Sequence, residues 1–147
     1  MTNGVRLKVK KLVEQAKLPR YAHVGEYGDL AADLYASEGL ILEPGSTMAV
    51  PTGIAMEFPS THGALVEDRS GLALRGLTTL AGVIDPGYRG EIRVVVTNLG
   101  AAAMELKTGD RIAQLRIVHR IQAEFEEVAE LGDATRGAGG FGSTGAR

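Results

Sequence analysis

Residues 82–91 read GVIDPGYRGE. An apolar pair, Val83-Ile84, runs into Asp85, and Pro86-Gly87 turns the chain toward Tyr88. The order Asp-Pro-Gly-Tyr predicts a type II turn. Pro86 sets φ at the first central position and Gly87 accepts positive φ at the second. Asp85 is read in two ways. It shapes the turn, or it is a carboxylate brought to a loop mouth, where it orients and deprotonates a water. Tyr88 is likewise either a packed surface aromatic or a ring facing a ligand.

Three further stretches hold groups suited to an anion. In EDRSGLALRG, residues 67–76, Arg69, Ser70 and the amides of Ser70 and Gly71 stand where a strand gives way to a helical turn. Helix starts with a nearby arginine and hydroxyl hold phosphate, and they also serve as plain caps. Here Ser70 is the expected N-cap and Gly76 the stop. In TGDRIAQL, residues 108–115, Gln114 on a β-like run either donates to a phosphate oxygen or faces solvent. The end of the chain, RGAGGFGSTGAR, residues 136–147, combines Arg136, Phe141, Ser143 and Thr144 with many glycines. Glycine lets backbone amides approach a phosphate and the two hydroxyls add donors, whereas the alternative is a disordered terminus. No P-loop pattern is present, and no strand and helix flank the glycines as a dinucleotide site requires. In YGDLAADLYA, residues 27–36, Asp33 is either a buried hydrogen-bond acceptor or a partner of metal-bound water. His23, His62 and His119 lie far apart in sequence with no ligand spacing, and no Gly-x-Ser-x-Gly elbow occurs.

Positioning these groups falls to short strands. VRLKVK (5–10) and EIRVVVTN (91–98) alternate apolar with polar or second-face residues at period two, with Ile92, Val94 and Val96 sharing one face. MAVPTGIAMEF (48–58) is β-rich with a Pro-Thr-Gly break at 51–53. DRIAQLRIV (110–118) is β-like with poorer alternation. Frequent Gly and Pro punctuation makes the chain an all-β sandwich or jelly roll with at most one short helix. The 147 residues form one core over 1–131, followed by a Gly-rich segment, 132–147.

Composition narrows the function classes. Hydrophobic content is 44% and charged content 23%, which is that of a soluble globular chain. The absence of cysteine removes disulfides, thiolate zinc sites and a thiol nucleophile. A net charge of −2 with no basic stripe argues against nucleic acid. No apolar run is long enough for a membrane helix, and no signal-peptide core is seen, so a cytoplasmic location is expected.

Taken together, in order and spacing, AADLYA (31–36), RSGLA (69–73), GVIDPGYRG (82–90), GDRIAQL (109–115) and RGAGGFGSTG (136–145) resemble the five motifs of the trimeric deoxyuridine triphosphatases. The resemblance covers nearly the whole chain. It implies a distorted jelly-roll (β-clip) homotrimer with shared sites that splits dUTP into dUMP and pyrophosphate with Mg2+. That reaction limits uracil in DNA and supplies dUMP for dTMP synthesis. Carried over by position, Asp85 is the base that activates water, and Arg136 neutralises charge developing on the phosphates. Tyr88 packs under the deoxyribose, where a 2′-hydroxyl clashes. The hairpin from Thr79 through Gly82 and Val83 to Ile84 reads the uracil edge, and Arg93 lies near the nucleotide. Arg69, Ser70, Gly71 and Gln114 contact phosphates. Phe141 stacks on uracil, while Gly142, Ser143 and Thr144 clamp the γ-phosphate as the tail closes as a lid. Asp33 supports the metal's waters, and no residue ligates the metal directly. One departure stands out. Relatives usually carry Pro before the Arg-Ser pair, whereas Glu67-Asp68 brings negative charge toward the expected phosphate site.

Two rival readings follow from the same residues. A dCTP deaminase, or a bifunctional deaminase–diphosphatase, shares the jelly roll and the Ile-Asp-Pro-Gly turn. Those relatives use a general-base Glu in the next strand, where this chain has Val95. A non-catalytic trimeric binding module explains a Gly-rich tail, but not Asp85, Tyr88, Arg69-Ser70 and Gln114 together.

Overall fold

A computed structural model describes residues 4–146; residues 1–3 at the start of the expected core and Arg147 at the end of the expected lid lie outside the described residues. The elements in order are β1 (Lys8–Lys11), β2 (Ala32–Tyr35), β3 (Leu40–Leu42), β4 (Thr47–Glu57), β5 (His62–Glu67), α1 (Ser70–Leu74), β6 (Leu77–Leu80), β7 (Val83–Ile84), β8 (Glu91–Asn98), β9 (Met104–Leu106) and β10 (Arg111–His119). One sheet has the order β1-β4-β8-β6 and a second β2-β10-β5-β7, with β3-β9 as a small ribbon. Every pairing is antiparallel. The all-β jelly-roll expectation holds, and the one short helix falls where SGLAL predicts it.

The core lies between the two sheets. Strand β8 supplies Ile92, Val94 and Val96 from a single face, each 1% exposed or less, as its period-two pattern predicts. Facing it are Leu34, Ile112, Ala113 and Leu115 of β2 and β10, with Val50 and Ile54 of β4 beside them. Burial of such apolar faces is what holds two sheets together, at about 25 cal/mol per Å2. Asn98 ends β8 fully buried. Its side-chain amide donates to the carbonyls of Leu42 and Ala102, both at 2.9 Å, and its Oδ1 accepts from Gly100 N–H. A buried amide satisfied on both ends fixes the loops around it.

The structure corrects several expectations. The Pro51-Thr52-Gly53 stretch does not break the strand: β4 runs through it, and the register shifts between Pro51 and Ala55 as a bulge. Gly53 takes φ +70° there. The poorer alternation of β10 has the same kind of cause, an irregularity between Arg111 and Ala113 that buries Ile112 and Ala113 in succession. Strand β1 begins at Lys8 rather than Val5. Ser70 is not the N-cap of α1. Arg69 occupies that position without a side-chain cap, while Gly76 stops the helix at φ +96° as expected. His62 and His119, distant in sequence, are paired across β5 and β10 with ring centroids 4.4 Å apart.

Candidate active site

The stretch from Thr79 to Ile84 is not the expected hairpin: β6 pairs with β8 and β7 with β5 in different sheets, so the chain crosses between sheets at Ala81-Gly82. It does so with φ +60° at Ala81 and +107° at Gly82. The Gly82 carbonyl accepts from Val66 N–H at 2.8 Å, and a Cβ on Gly82 would lie 2.6 Å from the Val66 carbonyl oxygen. Glycine is required at this position by both the conformation and the close approach. The crossing opens a pocket of about 260 Å3 whose lining includes Gly82, Val83, Ile84, Asp85, Tyr88 and Arg93. Six residues singled out from sequence thus meet in one cavity, delivered by the crossing, the following turn and β8.

Asp85 is exposed at this pocket. Its carbonyl accepts from Tyr88 N–H at 3.1 Å, closing the turn. Gly87 has no positive φ, so the turn is not type II. The fixed φ of Pro86 suits a type I turn equally well, and its second central position needs no glycine. The Tyr88 hydroxyl donates to the Glu91 carbonyl at 2.6 Å, which holds the ring at the pocket mouth. Glu91 organises the far wall. One carboxylate oxygen accepts from Arg93 Nε at 3.1 Å and the other from Gly53 N–H at 3.0 Å. Glu91 was missed from sequence because its strand pattern marks it only as an outward residue.

A second polar group sits at the junction of β2, β10 and α1. Asp33 is 8% exposed, and its carboxylate faces Arg69 Nε at 3.2 Å and an Arg111 amino group at 3.7 Å. Its environment is two arginines, which fits the buried-acceptor reading. Arg69 and Arg111 also line a cavity of about 280 Å3 that includes Arg75. Arg111 was missed; it lies within the GDRIAQL stretch, but only the sheet register, which sets it opposite Tyr35, brings it to Asp33. Gln114 is half-buried. Its amide donates to the Asp68 carbonyl at 2.8 Å.

Glu67 and Asp68 were expected to present negative charge to this region. Both carboxylates have partners instead. Glu67 pairs with Arg116 at 2.5 Å. Asp68 accepts from the Thr78 hydroxyl at 2.8 Å, Thr79 N–H at 2.6 Å and the Thr79 hydroxyl at 2.7 Å. Burial pushes the Asp68 carboxyl up, and these three bonds outweigh it and hold it below the ordinary aspartate value. Thr79 is therefore engaged with Asp68 and is not among the lining of the pocket at the crossing.

Ser70 and Gly71 are exposed on the first turn of α1. The tail contacts neither cavity. Arg136 Nε donates to its own segment at Gly139 O, 2.6 Å away, and Phe141 is fully exposed with φ +49°. Gly142, Ser143 and Thr144 are exposed in a run of turns. Within one chain the structure gathers the crossing residues in one place and Asp33, Arg69 and Gln114 in another, and leaves the tail residues apart from both. Among the described residues no three His, Asp or Glu converge as a metal site.

The family model described as dUTPase matches residues 20–145. The deoxyuridine 5'-triphosphate nucleotidohydrolase of Thermobifida fusca is 49% identical over 145 residues, covering 96% of this chain and 79% of that protein. That of Solibacter usitatus is 47% identical over 148 residues, covering 99% of each. Among solved structures, the Staphylococcus bacteriophage 80alpha dUTPase with dUPNHPP superimposes with a TM-score of 0.84 at 27% identity, covering 98% of this chain and 99% of that one.

Proposed function

The chain belongs to the dUTPase family, and from that premise we propose that it hydrolyses dUTP to dUMP and pyrophosphate, with Asp85 as the base for the attacking water. The observation that carries the site assignment is the pocket at the sheet crossing, which collects Gly82, Val83, Ile84, Asp85, Tyr88 and Arg93 around one cavity. Its size suits a base and sugar rather than a whole nucleoside triphosphate. The backbone from Gly82 to Ile84 reads the uracil edge, with Thr79 left out of that role because Asp68 holds it. Tyr88, held by Glu91, packs under the deoxyribose and excludes a 2′-hydroxyl.

Asp85 accepts a proton from a water as that water attacks phosphorus. The bridging P–O bond between the α- and β-phosphates breaks, and pyrophosphate leaves. No covalent nucleophile is needed, so catalysis rests on positioning and charge neutralisation. Arg69, Ser70, Gly71 and Gln114 form the phosphate side, with Gln114 acting through the Asp68 backbone that it holds. Arg136 neutralises charge on the phosphates as the tail closes.

The family uses Mg2+. The residues here do not fit a protein-ligated ion, since the Asp33 carboxylate faces two arginines. The substrate is therefore the Mg2+ complex of dUTP, with the ion carried by the phosphates, as is usual for this hard cation.

The chain is divided into a jelly-roll core, 1–131, and a lid, 132–147, and works as a homotrimer with shared sites. Two observations support this reading. The tail holds an aromatic ring, Phe141, that nothing in its own chain covers. Before it, the extended segment after β10 leaves Ile121, Phe125 and Leu131 exposed by 87%, 93% and 87%, an apolar load expected of a segment that meets another copy. In the assembled site Phe141 stacks on uracil while Gly142, Ser143 and Thr144 clamp the γ-phosphate.

The deaminase reading is disfavoured because Val95 lines the pocket at the crossing where a general-base Glu is needed. The test is pyrophosphate release from dUTP, dCTP, dTTP and dATP, with and without Mg2+. Mg2+-dependent release from dUTP alone is expected. Ammonia release from dCTP, or no turnover of any nucleotide, would overturn the reading.

A further inference from the structure

The segment that offers Arg69, Ser70 and Gly71 has little to hold it. Helix α1 is five residues long, buries none of them fully, packs Leu72 alone against the core and has no side-chain cap at its N-terminus. A helix this short is not stable by itself. Its C-terminal end is fixed, because Gly76 sits against Gly100 N, where a Cβ would approach to 2.6 Å, and its carbonyl accepts from Leu99 N–H at 2.8 Å. At its N-terminal end the residue before Arg69 is held on both sides. The Asp68 carboxylate takes three donors from Thr78 and Thr79 of β6, and its carbonyl takes the Gln114 amide from β10.

We infer that Asp68 is a positioning residue for the phosphate loop: by tying the chain immediately before Arg69 to β6, it sets where Arg69 meets the polyphosphate. The inference rests on the reading of residues 69–71 as phosphate ligands. The role is geometric rather than that of a counter-ion. Arg69 does not pair with its neighbour; its guanidinium goes to Asp33 at 3.2 Å and to the Arg111 carbonyl at 3.4 Å. The negative charge at position 68 is taken up by hydroxyl and amide donors. An asparagine oxygen can keep both Thr79 bonds, and the Thr78 hydroxyl can turn to accept from the new amide. A glutamate keeps the charge but moves the acceptor by one methylene.

The test measures kcat/KM for Mg2+–dUTP on the full chain for Asp68→Asn, Asp68→Glu, Arg69→Ala and the Asp68→Glu/Arg69→Ala double variant. Assembly is checked by size and circular dichroism. Asp68→Asn is expected to stay within about threefold of wild type, and Asp68→Glu to lose roughly ten- to hundredfold through misplacement of the loop. Arg69→Ala is expected to lose about a hundredfold, as for loss of one charge-stabilising donor. Because Asp68 acts through Arg69, the double variant should fall within about threefold of Arg69→Ala alone. Losses that multiply in the double variant, or a glutamate better than asparagine, overturn the positioning role while leaving the phosphate loop intact as a reading. Wild-type turnover in Arg69→Ala overturns the phosphate-loop reading and the role through Arg69 with it.

Discussion

Of the three glycines in GVIDPGYRG, Gly82 and Gly87 look alike in sequence and differ in the fold. At Gly82 the backbone has φ +107°, and a Cβ would meet the Val66 carbonyl oxygen at 2.6 Å and Val66 Cβ at 3.3 Å. The crossing cannot slide away, because Val66 N–H already bonds the Gly82 carbonyl. Gly82→Ala therefore carries a conformational cost of about 1–3 kcal/mol and an overpacking cost of about 1–3 kcal/mol. Together these lower Tm by about 5–15 °C for a chain of this size. At Gly87 nothing lies within 4 Å of a Cβ and φ is not positive. Gly87→Ala should be neutral or stabilising by about 0.4–1 kcal/mol. Thermal unfolding at a fixed protomer concentration reads both, with kcat/KM for dUTP falling in the first variant as the pocket edge shifts. A Gly82→Ala protein melting within about 2 °C of wild type would refute the crossing geometry. A large loss at Gly87→Ala would restore the type II turn.

Truncation after Leu131 should leave the oligomer intact by size while removing most turnover; a truncated chain with normal turnover would refute the lid. The aspartates set a pH dependence. Asp29 is held below its ordinary value chiefly by the His23 backbone N–H, and Asp68 by the Thr79 and Thr78 donors that outweigh burial. A folded-state value below the unfolded one gives stability that is present above about pH 4 and is lost as pH falls through the folded value. Acid unfolding of Asp68→Asn should accordingly be less steep below about pH 4 than that of wild type; identical acid profiles would contradict the assignment.

The sequence made much of this legible. Strand β8 was readable because one of its faces is wholly in the core and the other is not. Strand β10 was less so, since its bulge places Ile112 and Ala113 inward together, which no period-two template anticipates. The pocket at the crossing could be foreseen because its residues are consecutive or nearly so. The Asp33–Arg69–Arg111 group could be only half foreseen, since Arg111 depends on register between strands far apart in the chain. Asp68 was read as a liability because its charge is visible in sequence and its three donors, which arrive from β6, are not. The Asp-Pro-Gly-Tyr order fits two turn types, and local chemistry alone did not choose between them.

The proposed hydrolysis turns on one carboxylate at the edge of one pocket. Asp85 makes no side-chain hydrogen bond among the described residues and is exposed, so Asp85→Asn should fold and assemble as wild type does. The decisive measurement is single-site kinetics of that variant on Mg2+–dUTP beside its affinity for a non-hydrolysable dUTP analogue. Loss of a general base predicts that kcat falls by roughly 100- to 10,000-fold while analogue affinity stays within about threefold of wild type. Turnover near that of wild type in Asp85→Asn would contradict the assignment of Asp85 as the base.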